Sequence, residues 1–132
     1  MREILFRGKD ENGVWRQGCY CVFNEKSYRI YTGFAETDSG SYYPDYYEVE
    51  PETVGQYTGL TDKNGQKIFE GDIVKIKGEI RFIFYGASSF RHTNYGEYAA
   101  ELTDVYTERD CEVIGNIHDN SELLREIGRA HV

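Results

Sequence analysis

The sequence has little of what marks several classes of protein. Only 2 prolines and 3 cysteines occur among its 132 residues, whereas aromatic residues make up 15%. Few prolines and many aromatics argue against a disordered chain, and three cysteines are too few for a disulfide framework. The longest apolar run, residues 80–85, is interrupted by Arg81 and is too short to cross a membrane. No basic segment leads into an apolar one, so we expect no signal peptide and a cytoplasmic protein.

Positive charge is also scarce. The chain has 15 Lys and Arg against 23 Asp and Glu, which gives a formal net charge of −8. No Lys or Arg occurs from Ile30 to Asp62. Such a chain is a poor default binder of nucleic-acid phosphates.

Motifs that carry catalysis are missing as well. The sequence contains no phosphate-binding glycine loop, no nucleophile elbow and no HExxH motif. His92 follows Ser88 and Ser89 without the spacing of a triad, and a polar loop explains this stretch. Glu48 and Glu50 share a face if the chain is extended there, but sequence alone does not place them across a sugar cleft. We therefore predict that the chain is not an enzyme.

The cysteines predict neither a metal site nor a cofactor. Cys19, Cys21 and Cys111 are expected to be small buried residues. If Cys19 and Cys21 lie in a strand, both thiols point to one face. A zinc site would need further ligands, such as Cys111 with His92 or His118, and the spacing is not the usual CxxC.

The first part of the chain predicts two pairs of strands. Residues 2–7 and 14–17 are β-prone runs on either side of the Asp10–Gly13 turn, where Asn-Gly tolerates a positive φ. Residues 19–23 and 28–31 flank a polar break. These runs predict a small N-terminal β unit.

The segment from Glu36 to Glu52 differs in composition. It contains both prolines, Pro44 and Pro51, and no basic residue. This predicts a loop or linker between two β units. The segment also holds two pairs of tyrosines, Tyr42 with Tyr43 and Tyr46 with Tyr47.

The second part of the chain predicts strands at residues 54–60, 67–69, 73–76, 79–85 and 112–117. Residues 86–96 are polar and predict a mobile loop, whereas alternation over 98–103 predicts a half-buried strand. A short helix is expected after Asp119, with Glu122 as its capping-box partner and Gly128 beyond its end.

Short strands separated by glycine turns are typical of a small barrel or sandwich, and the strands after Val54 fit a barrel of about five or six strands. The predicted fold class is mainly β. We predict a domain boundary between residues 52 and 53. An N-terminal β unit with an acidic, Tyr-rich loop occupies 1–52, and a β-barrel domain with a closing helix occupies 53–128.

Four segments are familiar in their order and spacing: REILFRG at 2–8, QYTGLTDKNG at 56–65, IFEGDIV at 68–74 and EVIGNIHDNSELL at 112–124. Together they resemble the YopX family of phage and prophage proteins over nearly the whole chain. The segments also have a purely structural interpretation. Their glycines suit turns and bulges, and Asp62 and Asp72 suit turns by accepting backbone N–H bonds.

The resemblance implies a C-terminal SH3-like β-barrel that begins near Thr53, and an origin in a phage or prophage. It implies no assigned biochemical activity and offers no catalytic residue. Residues 31–52 and 86–110 match none of the family segments, so functions particular to this chain are expected there.

The main functional prediction is a non-catalytic module that binds a second copy of itself or a phage or host protein. Tyrosine is enriched in protein interfaces because it is large, rigid and amphipathic. The candidate site is Tyr42, Tyr43, Tyr46 and Tyr47. Alternatively, these rings pack over the barrel, the acidic stretch imitates a nucleic-acid backbone, or exposed strand edges pair between copies.

The second functional prediction is a nucleic-acid-binding accessory factor. Small barrels often bind nucleic acid through aromatic residues and a basic groove. A local patch could form from Lys63, Lys67, Lys75, Lys77 and Arg81, and the candidate binding residues are Lys75, Lys77 and Arg81. They also suit the solvent face of edge strands, an interpretation that the net charge of −8 favours.

Overall fold

The computed structural model describes residues 3–94 and 99–129, the last four of them by their backbone alone. The strands are β1 (Phe6–Lys9), β2 (Trp15–Phe23), β3 (Ser27–Glu36), β4 (Tyr42–Glu48), β5 (Gly55–Thr61), β6 (Lys67–Phe69), β7 (Asp72–Ile76), β8 (Glu79–Gly86), β9 (Ser89–Thr93), β10 (Ala100–Glu101) and β11 (Cys111–Asn116). The helices are α1 (Thr107–Asp110) and α2 (Ser121–Arg129), with 3-10 turns at Pro51–Thr53 and Leu102–Asp104. The chain divides after Tyr57 into two compact units.

The first unit is an antiparallel sheet in the order β4-β3-β2-β1-β5. Asp10 closes the predicted turn between β1 and β2. Its buried carboxylate accepts hydrogen bonds from the N–H groups of Asn12 (2.9 Å) and Val14 (3.0 Å) and from Arg16 Nε (2.9 Å). The bond from Val14, followed by the Arg16 guanidinium, holds the pKa of Asp10 below its usual value. Both predicted hairpins are confirmed, but residues 14–17 and 19–23 belong to one continuous strand, β2, and the first strand runs over Phe6–Lys9 instead of 2–7. Arg2 lies outside the described residues.

The predicted loop between residues 36 and 52 is largely wrong. Strand β3 continues to Glu36, and β4 pairs with it from Tyr42 to Glu48. Pro44 and the acidic composition suggested a loop, yet β4 is an edge strand of its sheet. An edge strand tolerates a proline because one side of its backbone has no ladder to complete.

The second unit begins within β5, whose last residues lie beside β6. Its main sheet is antiparallel, in the order β10-β9-β8-β7-β11. The predicted strands at 67–69, 73–76, 79–85 and 112–117 are confirmed to within a residue or so at each end. The core of this unit contains Ile68, Val74, Ile76, Ile83, Phe90, Leu102 and Cys111.

Two predictions near the end of the second unit need correction. Residues 86–96 are not wholly a loop, because β9 pairs with β8 from Ser89 to Thr93; Tyr95 and Gly96 lie outside the described residues. The strand predicted over 98–103 is confirmed only at Ala100–Glu101, and a 3-10 turn follows it. The polar residues of β9 obscured the strand pattern in the sequence, although the alternate residues Phe90 and His92 are buried.

The predicted turn chemistry is confirmed at two aspartates. Asp62 Oδ1 accepts bonds from the N–H groups of Asn64 and Gln66, each at 2.9 Å, and Asp72 Oδ2 accepts one from Phe69 at 2.7 Å. Asp62 Oδ2 also accepts the N–H of Val113 at 2.9 Å, which ties this turn to β11. These bonds explain why both carboxylates are buried.

The closing helix is confirmed, but it starts at Ser121, so Asn120 rather than Asp119 precedes it. It also continues to Arg129, so Gly128 lies within the helix and not beyond its end as predicted. The Asn120 side chain accepts the N–H of Asn116 at 3.1 Å. The register of β11 shifts between Val113 and Gly115, and a Cβ atom at Gly115 would stand 2.5 Å from Asn120 Oδ1. The glycine therefore leaves room for the side chain of Asn120, which precedes the helix.

The mainly β class is confirmed by these two antiparallel sheets. Within residues 3–94 and 99–129, the main sheet of the second unit stays open, with β10 and β11 as its edges. No helix of the described chain is long and apolar enough to span a membrane.

Candidate functional site

The four candidate tyrosines lie on two faces of β4. Because side chains alternate along a strand, Tyr42 and Tyr46 share one face, and Tyr43 and Tyr47 share the other. The ring of Tyr46 lies 5.3 Å from that of its cross-strand neighbour Tyr31. Each face of β4 therefore carries two of the four tyrosines, and neither face carries all four.

The face of Tyr47 is the more buried one. Tyr47 lies opposite Ile30, which is fully buried. The guanidinium carbon of Arg16 lies 3.7 Å from the centre of the Tyr47 ring. Tyr43 is on the same face nearer the start of β4 and is half exposed.

Aromatic side chains cover the opposite, outer face of β2, β3 and β4. This aromatic face consists of Phe23, Tyr31, Phe34, Tyr42 and Tyr46. Phe34 is 77% exposed and Tyr42 is 70% exposed. Large exposed rings grouped on one face mark interaction surfaces more often than scattered ones do.

Arg29 holds two of these rings in place. Its Cζ atom lies 4.4 Å from the centre of the Phe23 ring and 4.1 Å from that of Tyr46. A guanidinium at these distances is attracted to the face of each ring, by about 0.5–1 kcal/mol at exposed sites. These contacts fix the rings of Phe23 and Tyr46 within the protein itself.

Hydrogen bonds fix Arg29 in turn. Its Nη1 donates to the Tyr31 hydroxyl at 3.1 Å and its Nε donates to Ser27 Oγ at 2.8 Å. The bond to Tyr31 is the main cause that raises the pKa of Arg29 above its usual value. Ser27 Oγ donates to Glu48 at 2.5 Å, so a carboxylate ends this chain of contacts.

Two cysteines share the outer face of β2. Cys19 lies opposite Tyr31 and Cys21 lies opposite Arg29, and both thiols are exposed. The predicted burial is wrong for this pair, whereas their predicted position on one face is confirmed. Cys111 is buried in the second unit, and burial raises the pKa of its thiol to about 12. Among the described residues, no three His, Cys, Asp or Glu side chains group as metal ligands would.

The edge of β4 bears on how copies of the chain can associate. Val49 donates its N–H to Tyr28, and Thr37 donates to the carbonyl of Ser41. The odd-numbered residues of β4 therefore direct their backbone toward β3, and the even-numbered ones direct it outward. Pro44 is one of the outward residues and has no N–H to offer. It interrupts the edge that a second strand would need.

The basic residues of the second prediction separate. Arg81 lies opposite the fully buried Val74, is 12% exposed and pairs with Glu79 Oε2 at 2.6 Å. Lys75 lies on the other face and is exposed, as is Lys77. These two lysines line a pocket of about 220 Å³ together with Lys63, Gly78, Arg109, Asp110 and Glu112. We call it the cationic pocket.

His92 belongs to the core side of β9. It is buried opposite Ile83. Burial, and then the positive charge of Arg81, lower the pKa of His92, against the smaller opposing effects of Asp104 and Glu79. His92 therefore does not lie in a flexible polar loop.

Arg29 and Arg109 were not predicted as site residues from the sequence. A weak signal for Arg29 existed, because Ser27, Arg29 and Tyr31 alternate along one run. Its ring partners lie on other strands, so their proximity depends on strand register. Lys63 was predicted in a patch with Lys75 and Lys77 and lines the same pocket, whereas Arg109 joins them from α1, an approach that a linear pattern does not encode.

These features define a mainly β chain of two antiparallel units with a preformed aromatic surface. The family model described as "YopX protein" matches residues 5–125, nearly the whole chain. The chain belongs to the YopX family. Its fold is similar to the crystal structure of protein EF1440 from Enterococcus faecalis, with a TM-score of 0.65 and 26% identity over 94% of this chain and 99% of that chain. A search of curated proteins found no match.

Proposed function

We propose that this protein is a non-catalytic binding module whose aromatic face packs against the same face of a second copy. The observation that carries the proposal is the exposed aromatic face, in which Arg29 holds Phe23, Tyr31 and Tyr46 in place. Fixed rings with large exposed area supply contact at low entropic cost.

A second copy is the favoured occupant because the face carries both signs of charge. Arg29 supplies a cation, and Glu36 and Glu48 supply carboxylates on the same face. In a two-fold interface each patch meets its own copy, so a patch must complement itself. Pro44 disfavours the other route to self-assembly, pairing along the β4 edge.

We further propose that the module serves a phage or prophage, which family membership supports. A phage or host protein is then the other candidate occupant of the face. The SH3-like character of the second unit is also a proposal, supported by its short strands and tight turns. No reaction is assigned to the chain.

The test is the mass in solution, measured by light scattering over a range of protein concentrations. We expect a dimer, because the exposed aromatic area is then removed from water. The double variant Phe34→Ser/Tyr42→Ser is expected to be a monomer with nearly unchanged stability, since exposed side chains contribute within about 0.5 kcal/mol.

Tyr43→Ser is the matched control. Tyr43 neighbours Tyr42 in sequence and is half exposed, but it lies on the opposite face. The control is expected to remain dimeric. A wild-type monomer at every concentration, or equal dissociation of both variants, contradicts the proposal.

Nucleic-acid binding is the second candidate function. It is supported by the meeting of Lys75 and Lys77 with Lys63 and Arg109 in one pocket. Retention of DNA or RNA on a filter at low salt, falling steeply with added salt, is the result that this alternative predicts.

A further inference from the structure

The cationic pocket gathers side chains from separate elements of the second unit. Lys63 comes from the turn after β5, Lys75 from β7, Lys77 from the turn after β7, and Arg109 from α1. Asp110 and Glu112 are the carboxylates in its lining. Four cations and two carboxylates leave a local charge of 4 − 2 = +2, within a chain whose net charge is −8.

Backbone contacts hold two walls of the pocket. The Asp62 carboxylate fixes the turn that carries Lys63, and the N–H of Lys63 donates to the carbonyl of Cys111 at 3.0 Å. Lys77 and Gly78 form a tight turn with φ values of 50° and 87°. The N–H of Lys77 points at the carbonyl of Asp110, at 3.4 Å. The lysines therefore sit on short, anchored turns.

The carboxylates in the lining are already partnered. Asp110 accepts a bond from Arg109 at 2.9 Å, which is the main cause that lowers the pKa of Asp110. Glu112 lies 3.8 Å from Lys63 Nζ. Within the described chain, Lys75 and Lys77 form no ion pair of this kind, so the positive excess of the pocket centres on them.

Protection of a sheet edge does not explain this cluster. Lysines commonly blunt edge strands, but β7 lies between β8 and β11 in its sheet. Lys75 is thus an exposed lysine on an interior strand, directly opposite Glu112 on one side and Ile80 on the other. A cluster of cations in a concave site attracts an anionic ligand.

We infer that the cationic pocket binds one doubly charged phosphate group. A dianion balances the local charge of +2, and ammonium and guanidinium groups are the usual ligands of phosphate. A small ligand touches the pocket alone, whereas an extended polyanion also meets the rest of a chain of net charge −8. The inference involves only the second unit and does not rest on the proposed self-association.

The first experiment is a titration of the ¹⁵N-labelled full chain with inorganic phosphate at constant ionic strength, followed by NMR. We expect saturable shifts of the backbone amides of Lys63, Lys77 and Gly78. The double variant Lys75→Gln/Lys77→Gln is expected to raise the phosphate Kd at least about tenfold, because two charge-assisted contacts to the phosphate are lost.

The control is Lys26→Gln/Lys67→Gln, which removes the same charge from exposed lysines outside the pocket. It is expected to change the Kd less than about twofold. Shifts that never saturate, or equal weakening in both double variants, overturn the inference. Affinity for a nucleoside monophosphate should also be tighter at pH 8 than at pH 5.5, because the second ionisation of a phosphate monoester lies near pH 6.

Further ligands identify the source of the phosphate. A nucleoside monophosphate and a 5′-phosphorylated oligonucleotide, each competing with inorganic phosphate, support a terminal phosphate group. An oligonucleotide without a terminal phosphate that binds as tightly, while inorganic phosphate fails to bind, overturns the inference in favour of the nucleic-acid backbone.

Discussion

At the scale of single residues, Arg29 is the residue that connects the side chains of the outer face of the first unit. Its guanidinium touches two rings, a hydroxyl of Tyr31 and the Ser27 side chain. Arginine suits this position because its planar group stacks on rings and donates in fixed directions at the same time. A lysine would keep the charge and lose most of the geometry.

His92 carries a prediction about pH. Its pKa is lowered from 6.5 by burial and by Arg81. Between the lowered value and 6.5, the unfolded chain binds more protons at this residue than the folded protein does. Its contribution to stability is therefore full above 6.5 and decreases as the pH falls below it.

Urea unfolding at several pH values measures this effect. His92→Gln should show a smaller loss of unfolding free energy between pH 7.5 and 5.5 than the wild type does. The exposed His118 provides the control, since His118→Gln should keep the wild-type slope. An unchanged slope in His92→Gln would falsify the assignment.

At the scale of elements, the turns were the most predictable part. Asn-Gly occurs where the chain must reverse with a positive φ, and both Asn12-Gly13 and Asn64-Gly65 form such turns. Strands rich in Val, Ile and Phe were also found, because burial of alternate residues imposes a period of two.

The sequence misled at β4 and β9, for different physical reasons. Pro44 is compatible with a strand only because its nitrogen faces outward at an edge, and edge position is a property of the whole sheet. In β9 the buried residues are Phe90 and His92, and His92 is itself polar. The alternation of apolar and polar residues along this strand is therefore weak in the sequence. The alternation of Tyr42, Tyr43, Tyr46 and Tyr47 between two faces was predictable once β4 is known to be extended.

Asp62 carries a prediction about the coupling of two elements. Asp62→Ala removes the acceptor of three backbone N–H groups, those of Asn64, Gln66 and Val113. Each unmet buried donor costs about 1–3 kcal/mol, so we expect a loss of about 2–4 kcal/mol in unfolding free energy.

Asp62→Asn is the graded comparison, because its single carbonyl oxygen can still serve Asn64 and Gln66. An intermediate loss is expected, with faster amide exchange at Val113. A change below about 0.5 kcal/mol for Asp62→Ala would mean that the turn does not depend on this carboxylate.

At the scale of the whole molecule, each unit has its own candidate surface. The first unit presents aromatic rings with both signs of charge, and the second gathers cations in a small pocket. The net charge of −8 favoured solvent-facing positions on edge strands for Lys75, Lys77 and Arg81, but β7 and β8 are interior strands and Arg81 is largely buried. A total charge also does not reveal a local excess.

If a second copy covers the aromatic face, it also covers the two exposed thiols on that face. Cys19 and Cys21 lie beside Tyr31 and Arg29, while Cys111 is buried and serves as an internal reference. The measurement is the rate of alkylation at each cysteine, read by mass spectrometry at increasing protein concentration. We expect Cys19 and Cys21 to react more slowly as the protein concentration rises, and Phe34→Ser/Tyr42→Ser to restore the fast rate. Rates that are independent of concentration in the wild type would contradict it.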